Sequence, residues 1–270
     1  MRPGGAQVDD SDRQGDGGAR DQDRAAPLSP VLHGTDDYDR LVRWVGTTLT
    51  QLEDRLERVR AELRAALSPA DRAALAAAIE RLRMLQIVES GLAVGEVLPD
   101  FALPDTDGRI VSSESLLGKG PLVLSFVRGT WCPYCSLALQ ALDAARAPIE
   151  AMGGSLAVVS PLRADELANA AGARGLSLPL LCDAEGSYAH LCGVHYMMSV
   201  EHAALYRRFG LDLDRMNAGG GWALPIPATY VVGRDGVITF VHAEVDWARR
   251  AEPSDILAAI GRLDAPAAHR

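Results

Sequence analysis

The run Pro121-Leu-Val-Leu-Ser-Phe-Val127, closely followed by Trp131-Cys132-Pro133-Tyr134-Cys135, constrains the fold more than any other stretch of the chain. The first run is short, apolar and rich in β-formers, and it predicts a buried strand. From Cys135 the spacing changes. Leu137, Leu139, Leu142 and Ile149, with alanines between them, carry helical periodicity, and Pro133 suits a first helical turn. Strand and helix meet at the two cysteines, so both thiols fall at a helix N-terminus.

Unpaired N–H groups and the positive end of a helix dipole stabilise a thiolate at such a position. An ordinary thiol, with a pKa of about 8.5, is only a few per cent ionised at neutral pH; lowering the pKa to about 7 ionises roughly half of it. The second cysteine lies on the same turn, so a disulfide can close locally and reopen by exchange with another thiol. A zinc half-site would want a second close pair, and Cys182 and Cys192 do not form one. Both lie among apolar residues and read as inert core. The C-x-x-C is therefore a catalytic or sensing redox pair, with no cofactor and no metal called for.

At 270 residues and 48% hydrophobic, the chain can bury one sizeable core plus an accessory element. A formal net charge of −9 without a basic stripe argues against a nucleic-acid footprint. The longest apolar runs are strand-length, short of the roughly 20 residues a spanning helix needs, so no membrane partner is expected. Met1 to Arg24 lacks the apolar segment of an export signal. The expectation is a cytoplasmic protein, where cysteines do not serve as a disulfide scaffold.

Residues 1–36 are rich in Gly, Asp and Arg and read as a disordered tail. Residues 37–90 read as a helical hairpin. Leu41, Val45, Leu49, Leu52, Leu56, Val59 and Leu63 mark one face; Ser68 is the N-cap of a second helix, with Pro69 in its first turn and Leu75, Ile79, Leu82 and Leu85 on its stripe. The hairpin either covers the catalytic unit or offers a homodimer or partner surface. The catalytic unit spans 91–267. Pro99, Pro104 and Asp107-Gly108 punctuate a small extended hairpin ahead of the core. After the cysteines come a strand at 155–160, a helix at 163–174, a strand at 178–182 and a short helix after Glu185. A β-hairpin about Asp235-Gly236 and a helix at 253–263 close the chain. This order describes an α/β fold with a mixed central sheet flanked by helices.

Gly95-Glu-Val-Leu-Pro-Asp-Phe-Ala-Leu-Pro104, Phe126-Val-Arg-Gly-Thr-Trp-Cys-Pro-Tyr-Cys135 and Pro227-Ala-Thr-Tyr-Val-Val232 with Asp235-Gly236 together resemble the peroxiredoxin-like branch of the alkyl hydroperoxide reductase/thiol-specific antioxidant family. The resemblance covers roughly residues 95–263 and implies a thioredoxin-like fold. It also implies reduction of hydroperoxides by a cysteine that becomes a sulfenic acid, then a disulfide, then is restored by thioredoxin. Pro227 matches the cis-proline that faces the C-x-x-C in that fold. It also stands where typical members carry an arginine that polarises the peroxide.

On this reading Cys132 attacks and Cys135 resolves, although the family alignment could exchange them. Arg128 and Thr130 are the nearest residues able to offer a charge and a hydroxyl to a peroxide oxygen. Trp131 and Tyr134 frame the pocket, with Trp222 a weaker candidate for the same wall, and the segment from His195 to Arg208 borders it. The function expected is a thiol-dependent peroxidase acting on hydrogen peroxide or organic hydroperoxides and recycled by thioredoxin. The alternatives are a thiol-disulfide oxidoreductase and a non-catalytic redox sensor.

Overall fold

The computed structural model describes residues 51–263. The tail expected over 1–36, the hairpin residues 37–50 and the catalytic-unit residues 264–267 lie outside them. The chain enters through α1 (Leu52–Ala66), whose Leu52, Leu56, Val59 and Leu63 recur at threes and fours and are all buried. Each such burial stabilises by about 1.5–3 kcal/mol relative to exposure. Ser68 accepts a hydrogen bond from the Asp71 amide at 3.1 Å and opens α2 (Pro69–Met84), with Pro69 in its first turn. Leu82 is buried, but Leu85 does not extend the stripe as expected. The helix ends at Met84 and Gln86 adopts a left-handed φ of 51°, which leaves Leu85 beyond the last turn and 60% exposed. A further turn, α3 (Ile87–Ser90), had no signal in the periodicity.

A ribbon of β1 (Ala102–Pro104) and β2 (Ile110–Ser112) follows, antiparallel as expected. Asp105 Oδ1 closes its turn by accepting from the amides of Asp107 at 2.8 Å and Arg109 at 2.9 Å. Then come α4 (Ser113–Leu117), β3 (Leu122–Phe126), α5 (Pro133–Ala151), β4 (Ser155–Ser160), α6 (Ala164–Arg174) and β5 (Leu180–Cys182). An excursion adds α7 (Ser187–Leu191), β6 (His195–Met197), α8 (Val200–Arg208), α9 (Leu213–Met216) and β7 (Ala223–Pro225), with β6 and β7 paired. The chain returns through β8 (Ala228–Val232), β9 (Ile238–Ala243) and α10 (Pro253–Leu263).

The central sheet has the order β5-β4-β3-β8-β9. β3 is parallel to β4, through the α5 crossover, and antiparallel to β8, with Phe126 opposite Ala228. Every residue of β3, β4 and β8 is buried, as strands covered on both faces require. α5 packs on β4 and against α1 and α10, and α10 packs on β8 and β9. The hairpin is bonded to this body at both helices. Arg55 Nη2 donates to Gln140 Oε1 of α5 at 2.6 Å, and Arg208 of α8 reaches Asp71 of α2 at 2.6 Å. It therefore covers the end of the sheet from which the segment 127–132 leaves β3.

Candidate active site

Cys132 is the N-cap of α5, Pro133 occupies the first helical position, and Cys135 lies within the first turn. The Ser136 amide donates to the Cys132 carbonyl at 3.0 Å, and Ser136 Oγ ties the turn to the Thr130 carbonyl at 2.9 Å. Both cysteines are free thiols, and each shifts the ionisation of the other. They are not equivalent. Cys132 forms part of the floor of a cavity of about 520 Å³, whereas Cys135 is fully buried behind it and does not line the cavity.

Arg128 borders the same cavity and is only 1% exposed. Its Nη2 donates to the Tyr206 hydroxyl at 2.6 Å, and its guanidinium lies over the rings of Trp247 at 4.5 Å, Trp131 at 5.1 Å and Tyr206 at 5.5 Å. No carboxylate pairs with it among the described residues, and burying a charge in that way is costly unless something compensates it. Burial opposes its charge, but Tyr196, Tyr206 and Cys132 more than offset that and hold the guanidinium protonated. The Arg128 Nε–H and Trp131 Nε1–H are both buried without a partner among the described residues.

Gly129 makes this arrangement sterically feasible. Its φ is 146°, and a Cβ added there would lie 2.3 Å from Trp131 Nε1. The indole folds back over backbone that only glycine leaves clear.

A second guanidinium approaches the thiols from the segment after β9. Arg250 Nη2 donates to Cys135 Sγ at 3.2 Å. Burial works against a thiolate at Cys135, but the Cys132 thiol, Arg250 and Arg128 outweigh it and hold the Cys135 pKa well below the ordinary thiol value. Burial and the neighbouring Cys135 push the Cys132 thiol up. The two thiols are thus biased in opposite directions, toward the thiolate at Cys135 and toward the neutral thiol at Cys132. His202, edge-on to Tyr206 and stacked on Trp247, is depressed to about 3 by burial and by Arg128. It is neutral at physiological pH.

Of the residues expected to form the site, Arg128, Trp131, Cys132 and Tyr134 line the cavity. Thr130 is buried but does not line it, and contributes its carbonyl to Ser136 and, at 3.3 Å, to Arg174. Pro227 lies at the same end of the sheet, next to β8, where its carbonyl accepts from the Glu244 amide at 3.2 Å; it is not on the cavity wall. Trp222 is not on it either. Its indole donates to Asp214 at 2.7 Å and carries Arg207 over its ring, and Trp247 takes the wall position instead. The segment 195–208 does border the site, through Tyr206. Trp247 and Arg250 lacked any sequence signal, since neither stands at a fixed offset from the cysteines. Cys182 and Cys192 are buried, and burial raises both pKa values, that of Cys192 to about 12. Burial therefore disfavours the reactive thiolate at both.

A mixed five-stranded sheet with a C-x-x-C at the N-terminus of the helix after its central strand defines a thioredoxin-like fold. Residues 94–241 match the model of the AhpC/TSA family, more than half of the chain. The protein belongs to that family. Its fold is similar to a crystal structure of peroxidoxin BcpB from Mycobacterium tuberculosis (TM-score 0.52, 21% identity, covering 64% of this chain and 99% of that one). It is also similar to a peroxiredoxin-like protein from Aquifex aeolicus (TM-score 0.50, 13% identity, 64% and 88%). No curated protein matches the chain. The matched family segment contains neither the hairpin nor Trp247 and Arg250.

Proposed function

We propose that this oxidoreductase-family protein is a thiol peroxidase in which Cys132 attacks and Cys135 resolves. The observation that carries the reading is Arg128. It is a buried cation that has no carboxylate and leaves one N–H unpartnered among the described residues, beside the redox thiol that faces the cavity. A charge so placed suits the anion that develops when an O–O bond breaks.

In the first step the proton of Cys132 passes to Cys135, and the Cys132 thiolate attacks the terminal oxygen of the hydroperoxide. An S–O bond forms, the O–O bond breaks, and the alkoxide or hydroxide leaves and takes a proton from water. Arg128 offsets the charge of the leaving oxygen. The Cys135 thiol then attacks the sulfenic sulfur of Cys132, closing the disulfide and releasing water. An external dithiol such as thioredoxin, in a reducing compartment such as the cytoplasm, restores the pair by exchange.

The test is a steady-state assay coupling peroxide to thioredoxin, its reductase and NADPH, run beside an insulin-disulfide reduction assay. Turnover of peroxide well above that of the disulfide supports the reading. The reverse ranking would assign the dithiol to disulfide exchange, and stoichiometric oxidation without turnover would make it a sensor. Sulfenic acid should be trapped in Cys135→Ser and not in Cys132→Ser; the opposite result would exchange the two roles.

A further inference from the structure

The wall of the cavity facing the dithiol is made by the hairpin, which the matched family segment does not include. Leu63 and Leu67 of α1 and its turn, with Leu75 and Ile79 of α2, stand opposite Arg128, Trp131 and Cys132. A volume of about 520 Å³ is of the size that holds a small organic molecule, in the range of roughly 300–1,000 Å³. Hydrogen peroxide needs neither that volume nor an aliphatic wall.

The charged residues on the hairpin side are Arg60, Arg64 and Arg72, against a single acidic lining residue, Asp246. Arg60 is paired with Asp246 at 2.8 Å, and Arg72 donates to the carbonyls of Arg64 at 2.8 Å and Leu67 at 2.9 Å. The exposed Arg64 side chain has no ion pair among the described residues. The surface thus runs from a thiol beside a buried cation, across aliphatic side chains, to the exposed guanidinium of Arg64.

We infer that the hairpin forms a binding site for an amphipathic organic hydroperoxide, with its hydrocarbon body against Leu63, Leu67, Leu75 and Ile79 and a carboxylate at Arg64. The inference rests on the peroxidase reading for the reacting end of the molecule, but the binding of the rest does not require turnover. The aliphatic wall excludes water from the body of the ligand, and the arginine selects acid over alcohol.

The test separates binding from chemistry. Full-length protein carrying Cys132→Ser and Cys135→Ser is titrated calorimetrically with dodecanoate and with dodecanol. Dodecanoate should bind with one-to-one saturation and at least about tenfold more tightly than dodecanol. Arg64→Ala should remove that preference. Ala76→Trp, at an exposed cavity-lining position, should fill the space and weaken both ligands at least about tenfold. In the catalytic protein, Ala76→Trp should lower kcat/KM for a long-chain carboxylated hydroperoxide at least about tenfold more than that for hydrogen peroxide. Absence of saturable dodecanoate binding, equal binding of acid and alcohol, or insensitivity to Ala76→Trp would each overturn the inference. Hydrogen peroxide turnover without dodecanoate binding would leave the peroxidase reading standing and remove only this site. Dodecanoate binding without any peroxide turnover would do the reverse.

Discussion

Arg250 Nη2 donates to Cys135 Sγ at 3.2 Å, so the buried sulfur of the dithiol has a guanidinium hydrogen-bonded to it. Burial opposes a thiolate at Cys135, but the Cys132 thiol, then Arg250 and Arg128, lower its pKa on balance. A thiolate is thereby available below the pH at which an ordinary thiol ionises. Removing Arg250 should move the acid limb of the pH–rate profile to higher pH, because the charged form loses its partner. The expected loss for Arg250→Ala at neutral pH is about tenfold, or ~1.4 kcal/mol of barrier. Arg250→Lys should recover part of it. The measurement is the ultraviolet absorbance of the thiolate as a function of pH, alongside kcat/KM; an unmoved titration would make Arg250 a packing residue.

Arg128 should act on the leaving oxygen. Arg128→Ala is expected to slow peroxide reduction about tenfold to a hundredfold, or roughly 1.4–2.7 kcal/mol, and to slow exchange with a small disulfide less. Because its aromatic neighbours also lose a buried partner, stability should be measured in parallel. Equal slowing of both reactions would mean that Arg128 only tunes the thiols.

Gly129→Ala should displace Trp131. A methyl group at a φ of 146° and 2.3 Å from the indole nitrogen cannot be accommodated without movement. The backbone part of this strain is of order 1–3 kcal/mol. Chemical denaturation should report that loss. In the Gly129→Ala, Trp131→Ala double variant the steric part should disappear, giving less destabilisation than the sum of the two single changes.

His202 makes stability depend on pH. Its folded pKa of about 3 lies below the ordinary value of 6.5, so the unfolded chain binds a proton that the folded protein refuses. The contribution is fully present above pH 6.5 and is lost as pH falls toward 3. Between pH 7 and pH 5 the group should cost about 2 kcal/mol. His202→Phe, which keeps a ring between Tyr206 and Trp247, should be less sensitive over that interval by a similar amount. Urea midpoints at the two pH values decide it.

Much of this protein was legible in its sequence because the signals were local. The apolar run 121–127 and the helical spacing after Cys135 placed both thiols at a helix N-terminus, Ser68 and Pro69 marked the start of α2, and β4, β8 and α10 fall where their patterns put them. Caps, turns and periodicity are written within a few residues of the structure they specify. What the tertiary structure decided is which groups meet. Arg250 reaches Cys135 across 115 positions, Trp247 rather than Trp222 forms the wall, and the hairpin faces the dithiol. Arg128 could be read as a surface charge or a catalytic one, and only packing could choose between them. Burial, electrostatic neighbours and cavity walls arise from contacts between distant segments, and a single sequence does not encode them at any fixed spacing.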